Sequence, residues 1–393
     1  MPELIYVANN RLPTEKAHGL QIAQMCEAFA QAGYTVTLVA PRRINTAEMR
    51  AAGSLWAHYG VEPVFAFRRL PILDLFPIFP RWRIGFVTQT VTFALALTVW
   101  LLRRPADVLY TRDLFLAAWL AVLRPRTTLV YEAHALHRSR LGRALERFVV
   151  RRARVVALTA HLADALRAQG ADRVQVEHDG FRAARFADVP SQAEARAALS
   201  IPPDAFVVGY IGRLHTMGMP KGLDTLVDAI AQASERGEPI DLLLVGGPDD
   251  GVRALRDQWA ARGLPGERLH AVGQVPPAQI PRYLAALDAG TLPLPWTEHF
   301  AYYASAIKLF EYLAAGCAVI ASDLPSTAEV VRDGETALLA PPGDVQAWAD
   351  ALVRLRDDPV LRQRLRDAAR ALSTHYTWEA RATRIRAFVE GGD

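Results

Sequence analysis

The chain of 393 residues is 51% hydrophobic and carries 45 Lys+Arg against 41 Asp+Glu, a formal net charge of +4. That length gives two or three domains with ample cores, and so mild a positive charge suits an anionic ligand or membrane surface while excluding a nucleic-acid binder, which needs a strongly basic patch interleaved with aromatics. Two cysteines, Cys26 and Cys317, exclude a disulfide or zinc framework; with an N-terminus that runs straight into a strand pattern, they lead us to expect a cytoplasmic protein. Lysine occurs only at Lys16, Lys221 and Lys308, so 42 of the 45 cations are arginine, and all three lysines are expected at phosphate or sugar contacts.

Leu4 to Ala8 reads as a strand, followed by a polar loop with Lys16, His18 and Gly19. A helix from Gly19 to Ala32 and a strand from Thr35 to Ala40 complete a β-α-β unit, so a parallel sheet is expected. The loop stands where a doubly wound fold meets a diphosphate, although no G-x-G-x-x-G fingerprint is present. A strand from Val64 to Phe67 precedes an arginine-fenced, proline-rich apolar segment from Arg68 to Arg83. The helix that follows, Ile84 to Leu102, is apolar almost all round. Thr88, Gln89, Thr90, Thr92 and Thr98 interrupt it, so a buried helix rather than a membrane span is expected. Strands at Asp107–Thr111, Thr128–Ala133, Val155–Leu158 and Val174–Glu177 alternate with helices. One of these carries Arg140, Arg143, Arg147 and Arg151 along a single stripe, which reads either as a face for anionic lipid or as a solvated face.

The pattern restarts after a polar stretch at 190–203. Strands at Phe206–Ile211 and Asp241–Val245 flank a helix ending near Ser234, which argues for two doubly wound Rossmann-like domains, 1–185 and 186–375, facing each other across a cleft. A terminal helix within 376–393 is expected to pack back on the first domain. Gly212-Arg213 and Lys221-Gly222 place two cations beside backbone that an anion can approach closely, a suitable pair for a diphosphate. Gly246 and the run Gly273, Gln274, Val275 end strands at a sheet edge, where backbone groups read a base. The stretch Ser305 to Asp323 reads as a helix stopped by Gly316 and followed by a buried strand. Its Lys308 and Glu311 lie one turn apart near the helix N-terminus, where free N–H groups favour phosphate. Read alone they make a surface ion pair; read with the other motifs, Glu311 accepts two ribose hydroxyls.

These motifs resemble retaining glycosyltransferases of family 4, which have the GT-B fold. The resemblance is carried by Gly212–Leu214, Lys221–Asp224, Leu244–Pro248, Lys308–Asp323, Glu329–Gly334 and Leu339–Asp344. In the first half it is carried by Ala17–Gln21, Gln31–Val39, Tyr131–His134 and His178–Phe181, so nearly the whole chain is covered. It implies transfer of a sugar from a nucleotide-diphosphate donor, with Arg213 and Lys221 on the diphosphate and leaving group. By the same likeness His134 lies near the anomeric centre, and Gly19 lets the loop with His18 approach the donor. The donor site is completed by Gly212, Gly246, Gly273, Gln274, Val275, Tyr303, Ala306, Ile307, Lys308 and Glu311. No obligatory cofactor or metal is implied, since Arg213 and Lys221 supply the positive charge.

Two departures stand out. The family's commonest pattern has a glutamate eight positions before Glu311, where this chain has Tyr303, so donor identity is not carried over. The loop from Arg213 to Lys221, with His215, Met217, Gly218 and Met219, is longer than usual. Acceptors left open are a glycan, a lipid-linked or a small molecule, with peripheral contact to the cytoplasmic face of an anionic membrane. Competing readings are an inverting transferase with His18 as base, a nucleotide-sugar epimerase and a non-catalytic sugar-nucleotide binder.

Overall fold

The structure is a computed structural model that describes residues 1–51, 53–75, 83–216 and 218–391. The chain forms two units, Met1–His178 with Trp378–Asp393 and, between these, Asp179–Thr377. The N-terminal unit holds β1 (Glu3–Val7), β2 (Thr35–Pro41), β3 (Ala66–Leu70), β4 (Val108–Thr111), β5 (Thr128–Ala133), β6 (Arg154–Ala157) and β7 (Val174–Val176). They form one parallel sheet in the order β3-β2-β1-β4-β5-β6-β7, with Leu4 paired to Val36 on one side and Val108 on the other. The chain reverses its winding direction at β1/β4, which opens a crevice beyond the strand ends there.

The C-terminal unit holds β8 (Phe206–Ile211), a small hairpin of β9 (His215–Thr216) and β10 (Met219–Pro220), then β11 (Ile240–Val245), β12 (Leu269–Gly273), β13 (Ala289–Leu292), β14 (Ala318–Ser322) and β15 (Leu338–Ala340). Its six-stranded sheet runs β12-β11-β8-β13-β14-β15, all parallel, and Val208 pairs with both Leu242 and Ala289. Every residue of β8, β11 and β14 is buried, which is why these strands read as nearly continuous apolar runs rather than alternating ones, with Asp241 and Ser322 the buried polar exceptions. The expected two doubly wound α/β domains are therefore present.

The crossing between units falls at His178/Asp179 rather than at 185/186. Phe181 bridges to Thr377, and Arg185 bonds within the C-terminal unit, so residues 179–185 fold with that unit. The Trp378–Glu390 helix lies in the N-terminal unit. Trp378, Ala382 and Ile385 join the core formed by Ile22, Met25 and Phe29. Arg381, 1% exposed, donates to the carbonyls of His178 and Glu177, and Arg384 forks onto the Glu177 carboxylate at 2.8–3.1 Å.

The expectation of a buried helix after the proline-rich segment is corrected. Residues 76–82 of that segment lie outside the described residues. The Arg83–Leu101 helix buries Phe93, Ala94, Leu97 and Leu101 but exposes Phe86, Val87, Val91, Leu95 and Val99. It crosses from the edge strand β3 to β4 over one face of the sheet, so only one of its sides meets protein. The threonines and Gln89 divide by face: Gln89 and Thr90 are buried, where Gln89 Nε2 donates to Asn9 Oδ1 at 2.8 Å and Asn9 Nδ2 donates to Thr90 Oγ1 at 3.0 Å. Among the described residues no helix is long and apolar enough to cross a membrane. The strand before the segment begins two residues later than expected and includes Arg68 and Arg69, whose exposed charges suit a sheet edge.

Candidate active site

In the C-terminal unit the predicted residues collect at the carboxyl ends of β8, β11 and β12. Gly212 donates its N–H to the Val245 carbonyl and Gly246 donates to the Gly273 carbonyl, both at 2.7 Å, so three turns are locked by backbone alone. Glycine is required at two of them. Gly246 has φ +142, and a Cβ there would lie 2.0 Å from the Gly212 oxygen; Gly212 has φ +127, and its Cβ would lie 2.4 Å from Lys308 Cε. The missing side chains let the Lys308 ammonium come down on the β8 end, 5.2 Å from the Tyr210 ring centroid.

Lys308 and Lys221 lie close enough for each to act on the other's ionisation, and Arg213 adds its charge against Lys221. Burial, then repulsion from Lys221, holds the Lys308 ammonium well below the ordinary lysine value; burial and Arg213 lower Lys221 as well. Three cations held this close form a site that an incoming dianion relieves, because negative charge restores the charged form of both lysines. Lys221 follows directly on the β9–β10 hairpin, where a loop was expected; Met217 at its turn lies outside the described residues. Gly222, φ +70, then leads into the Leu223–Ser234 helix.

Ala306 and Ile307 begin the Ile307–Ala315 helix, which has no side-chain cap; the Leu309 N–H donates to the Ala306 carbonyl at 2.8 Å, and among the described residues no side chain occupies the N–H groups ahead of it. Glu311, one turn in, makes no ion pair with Lys308, the pairing that spacing alone would offer. Its Oε1 accepts from Arg185 Nη1 at 3.2 Å. Burial raises the Glu311 carboxyl, and Arg185 and Lys308 oppose that rise. Gln274 is exposed and Val275 packs partly into the core beside it. Tyr303 closes the short Glu298–Tyr302 helix, its N–H donating to the His299 carbonyl at 3.0 Å.

The remaining predicted residues lie in the N-terminal unit, at the ends of β1, β4 and β5. His134 follows β5, with both ring nitrogens engaged. Arg112 Nη2 lies 2.8 Å from Nδ1, and Glu132 Oε1 lies 2.7 Å from Nε2. Arginine is only a donor, so Nδ1 accepts and Nε2 carries the proton that Glu132 accepts. Desolvation, then Arg112, pushes His134 down to about 4, which keeps the ring neutral near pH 7. Glu132 is 2% exposed and also meets Arg381 at 3.4 Å and the Tyr110 hydroxyl. His18, in the first turn of the Ala17–Gln31 helix, is likewise lowered to about 4 by burial and then by Arg112. Gly19 is explained by packing: a Cβ would lie 2.1 Å from the Tyr59 hydroxyl, which bonds the Thr14 backbone.

Sequence reasoning missed Arg185, Glu132, Arg112 as a histidine partner, and Arg381. Arg185 and Arg381 are single arginines among many, and nothing local marks them. Glu132 stands two residues before His134 on a strand, the same-side spacing that offered a signal.

A family model described as "Glycosyltransferase Family 4" matches residues 19–185, and one described as "Glycosyl transferases group 1" matches residues 205–358. The D-inositol 3-phosphate glycosyltransferase of Jonesia denitrificans is 31% identical over 302 residues, 70% of this chain and 68% of that protein. The chain belongs to glycosyltransferase family 4. This member of the family is also 31% identical over 275 residues to the phosphatidyl-myo-inositol mannosyltransferase of Mycobacterium leprae, across 70% of its own length and 63% of that relative's. Among solved structures it is similar to sucrose-phosphate synthase from Thermosynechococcus elongatus, at TM-score 0.73 and 22% identity over 99% of this chain and 98% of the other. It is similar to Anabaena HepE in complex with UDP, at TM-score 0.73 and 19% identity over 99% and 100%. These likenesses establish the GT-B fold.

Proposed function

We propose that this chain moves a sugar from a nucleotide-diphosphate sugar to an acceptor hydroxyl with retention at the anomeric carbon. The observation that carries the proposal is the convergence of Arg213, Lys221 and Lys308 on a backbone-walled sheet edge, with Glu311 one turn away. The cations meet the diphosphate and stabilise the charge that develops as the anomeric C–O bond breaks. Glu311 accepts the ribose hydroxyls, and the turns at Gly246 and Gly273–Val275 meet the base. The acceptor oxygen bonds the anomeric carbon, and its proton leaves on the departing diphosphate. His134 contributes as a neutral ring of fixed tautomer, since neither nitrogen is open to serve as a base. No obligatory metal enters this scheme. One observation favours the inverting alternative: His18, neutral near pH 7, is in the right form for a base. The anomer of the product separates the two.

The relatives' names specify an inositol phospholipid and an inositol phosphate as acceptors, which supports a lipid-linked or small phosphorylated acceptor here. Peripheral contact with an anionic membrane belongs to the same proposal. The Arg83–Leu101, Leu114–Leu123 and Arg140–Val150 helices pack side by side, and Val99, Leu102, Val122 and Leu141 are each 69–71% exposed on them or at their ends. Residues 83–152 contain 12 arginines and 4 carboxylates, of which Glu132 and Glu146 are buried, so the outer surface is apolar and positive. At about 1 kcal/mol per basic residue near an anionic surface, Arg140, Arg143 and Arg147 suffice for salt-sensitive docking. The protein is expected to sediment with phosphatidylglycerol vesicles at low salt and to leave them when all three are replaced by glutamine; no sedimentation of the wild type removes the membrane reading.

A further inference from the structure

Arg185 lies on a single helical turn, Ala183–Phe186, distant in sequence from every motif of the donor site. Its Nη1 donates to Glu311 Oε1 at 3.2 Å, and its Nη2 donates to the Pro277 carbonyl. Pro277 opens the turn that follows directly on Gly273, Gln274 and Val275. One guanidinium thus ties the carboxylate assigned to the ribose to the backbone assigned to the base. Both side chains are 13% exposed, so the contact is largely out of water. The turn bearing Arg185 is itself held: Phe186 meets the buried Phe181 edge to face, with centroids 5.3 Å apart, and Phe181 bridges to Thr377.

We infer that Arg185 is a positioning residue for the nucleoside half of the donor, holding the Glu311 carboxylate in line with the 273–277 turn so that ribose and base are gripped together. The inference rests on the donor-site reading above. It assigns Arg185 no contact with the reacting atoms. The arrangement also bears on protonation: a neutral Glu311 would offer a donor where two hydroxyls need acceptors, and Arg185 opposes the rise that burial imposes. The other groups around Glu311 are Lys308 and Tyr312 on its own helix. Of the neighbouring helices, Ile280–Ala285 brings Arg282 and Tyr283, while Pro359–Ser373 brings Arg366 and Arg370 to Gly316 at the far end.

The test is calorimetric affinity for UDP, GDP, ADP and dTDP, with inorganic pyrophosphate as the probe that lacks a nucleoside. Arg185→Ala is expected to weaken the nucleotide that binds roughly 10- to 100-fold, the loss of a charge-assisted hydrogen bond, while pyrophosphate affinity stays within about twofold. The nucleotide affinity of that variant should fall toward low pH from a higher starting pH than in the wild type, because Glu311 then takes its proton earlier. Arg185→Lys should restore most of the affinity, and in a Glu311→Gln background Arg185→Ala should cost little more. Pyrophosphate binding also reports that the variant is folded. If the wild type binds pyrophosphate but none of the four nucleotides, the donor-site reading fails and takes this inference with it. If the wild type binds a nucleotide and Arg185→Ala binds it equally well, or more tightly because Arg185 competes with the ribose, the inference alone is overturned.

Discussion

Replacing Lys221 with methionine is expected to lower turnover about 10²- to 10³-fold, the scale seen when a preorganised charge or donor for developing negative charge is removed. Lys221 is placed for that task by the β9–β10 hairpin and by Gly222, whose backbone fits under the Pro293 carbonyl only without a Cβ. The loss should fall mainly on kcat, because Arg213 and Lys308 remain to bind the ground-state diphosphate. Lys308→Met is expected to be milder and to raise KM for the donor, since Arg213 and Lys221 still meet the leaving group. The pH profiles separate these roles. Burial lowers Lys221, so in the wild type activity should decline as pH rises through a value below the ordinary lysine range near 10.4. In Lys308→Met this alkaline limb should persist, because the burial and the Arg213 charge that lower Lys221 are untouched. Equal loss of kcat in both variants, or loss of the alkaline limb in Lys308→Met, would deny Lys221 its separate role.

The second large effect is on stability. Glu132 is a carboxylate shared by Arg112, Arg381, His134 and Tyr110, and both Glu132 and Arg381 are almost fully buried. Glu132→Ala leaves the Arg381 guanidinium buried beside the Glu177 and His178 carbonyls without its carboxylate, which should cost about 3–5 kcal/mol in urea denaturation. The same contacts hold the Glu132 carboxyl well below its usual range despite the burial that opposes them. A depressed folded value means that this stabilisation is fully present above the unfolded glutamate value near 4.3 and is lost as pH falls through the folded one. The alanine variant should therefore lose stability less steeply on acidification than the wild type. The His134 Nε2–H would also lose its acceptor and the ring one of its two anchors, so activity should fall beyond what the lost stability explains.

Much of the fold was legible because it rests on short-range signals. β8 and β11 are largely apolar runs closed by glycine, β14 is a largely apolar run just after one, and the αL stop at Gly316 was readable from the residue itself. The glycine turns were legible as anion-accommodating backbone, although which atoms they make room for, Lys308 over Gly212 and Gly212 under Gly246, is a matter of tertiary packing. The β9–β10 hairpin escaped because strands of two residues show no period. The apolar Arg83–Leu101 helix was misjudged because composition does not say how many sides of a crossover helix the sheet covers. Arg185 and Arg381 were invisible for one reason: in a chain with 42 arginines, identity carries no information until the fold brings one to a buried carboxylate. The ion-pair partner of Glu311 was hidden for the same reason, since i,i+3 spacing offers Lys308 while the fold supplies Arg185.

The most direct test of the proposed chemistry is the anomeric configuration of the product. The donor nucleotide selected by binding would be supplied as its α-linked sugar, with an acceptor panel that includes myo-inositol, its phosphates and a phosphatidylinositol, and the new linkage read by proton NMR coupling. An α-linked product, formed only when acceptor is present and lost in Lys221→Met, is the result predicted. A β-linked product would contradict it and shift the chemistry to His18 as base.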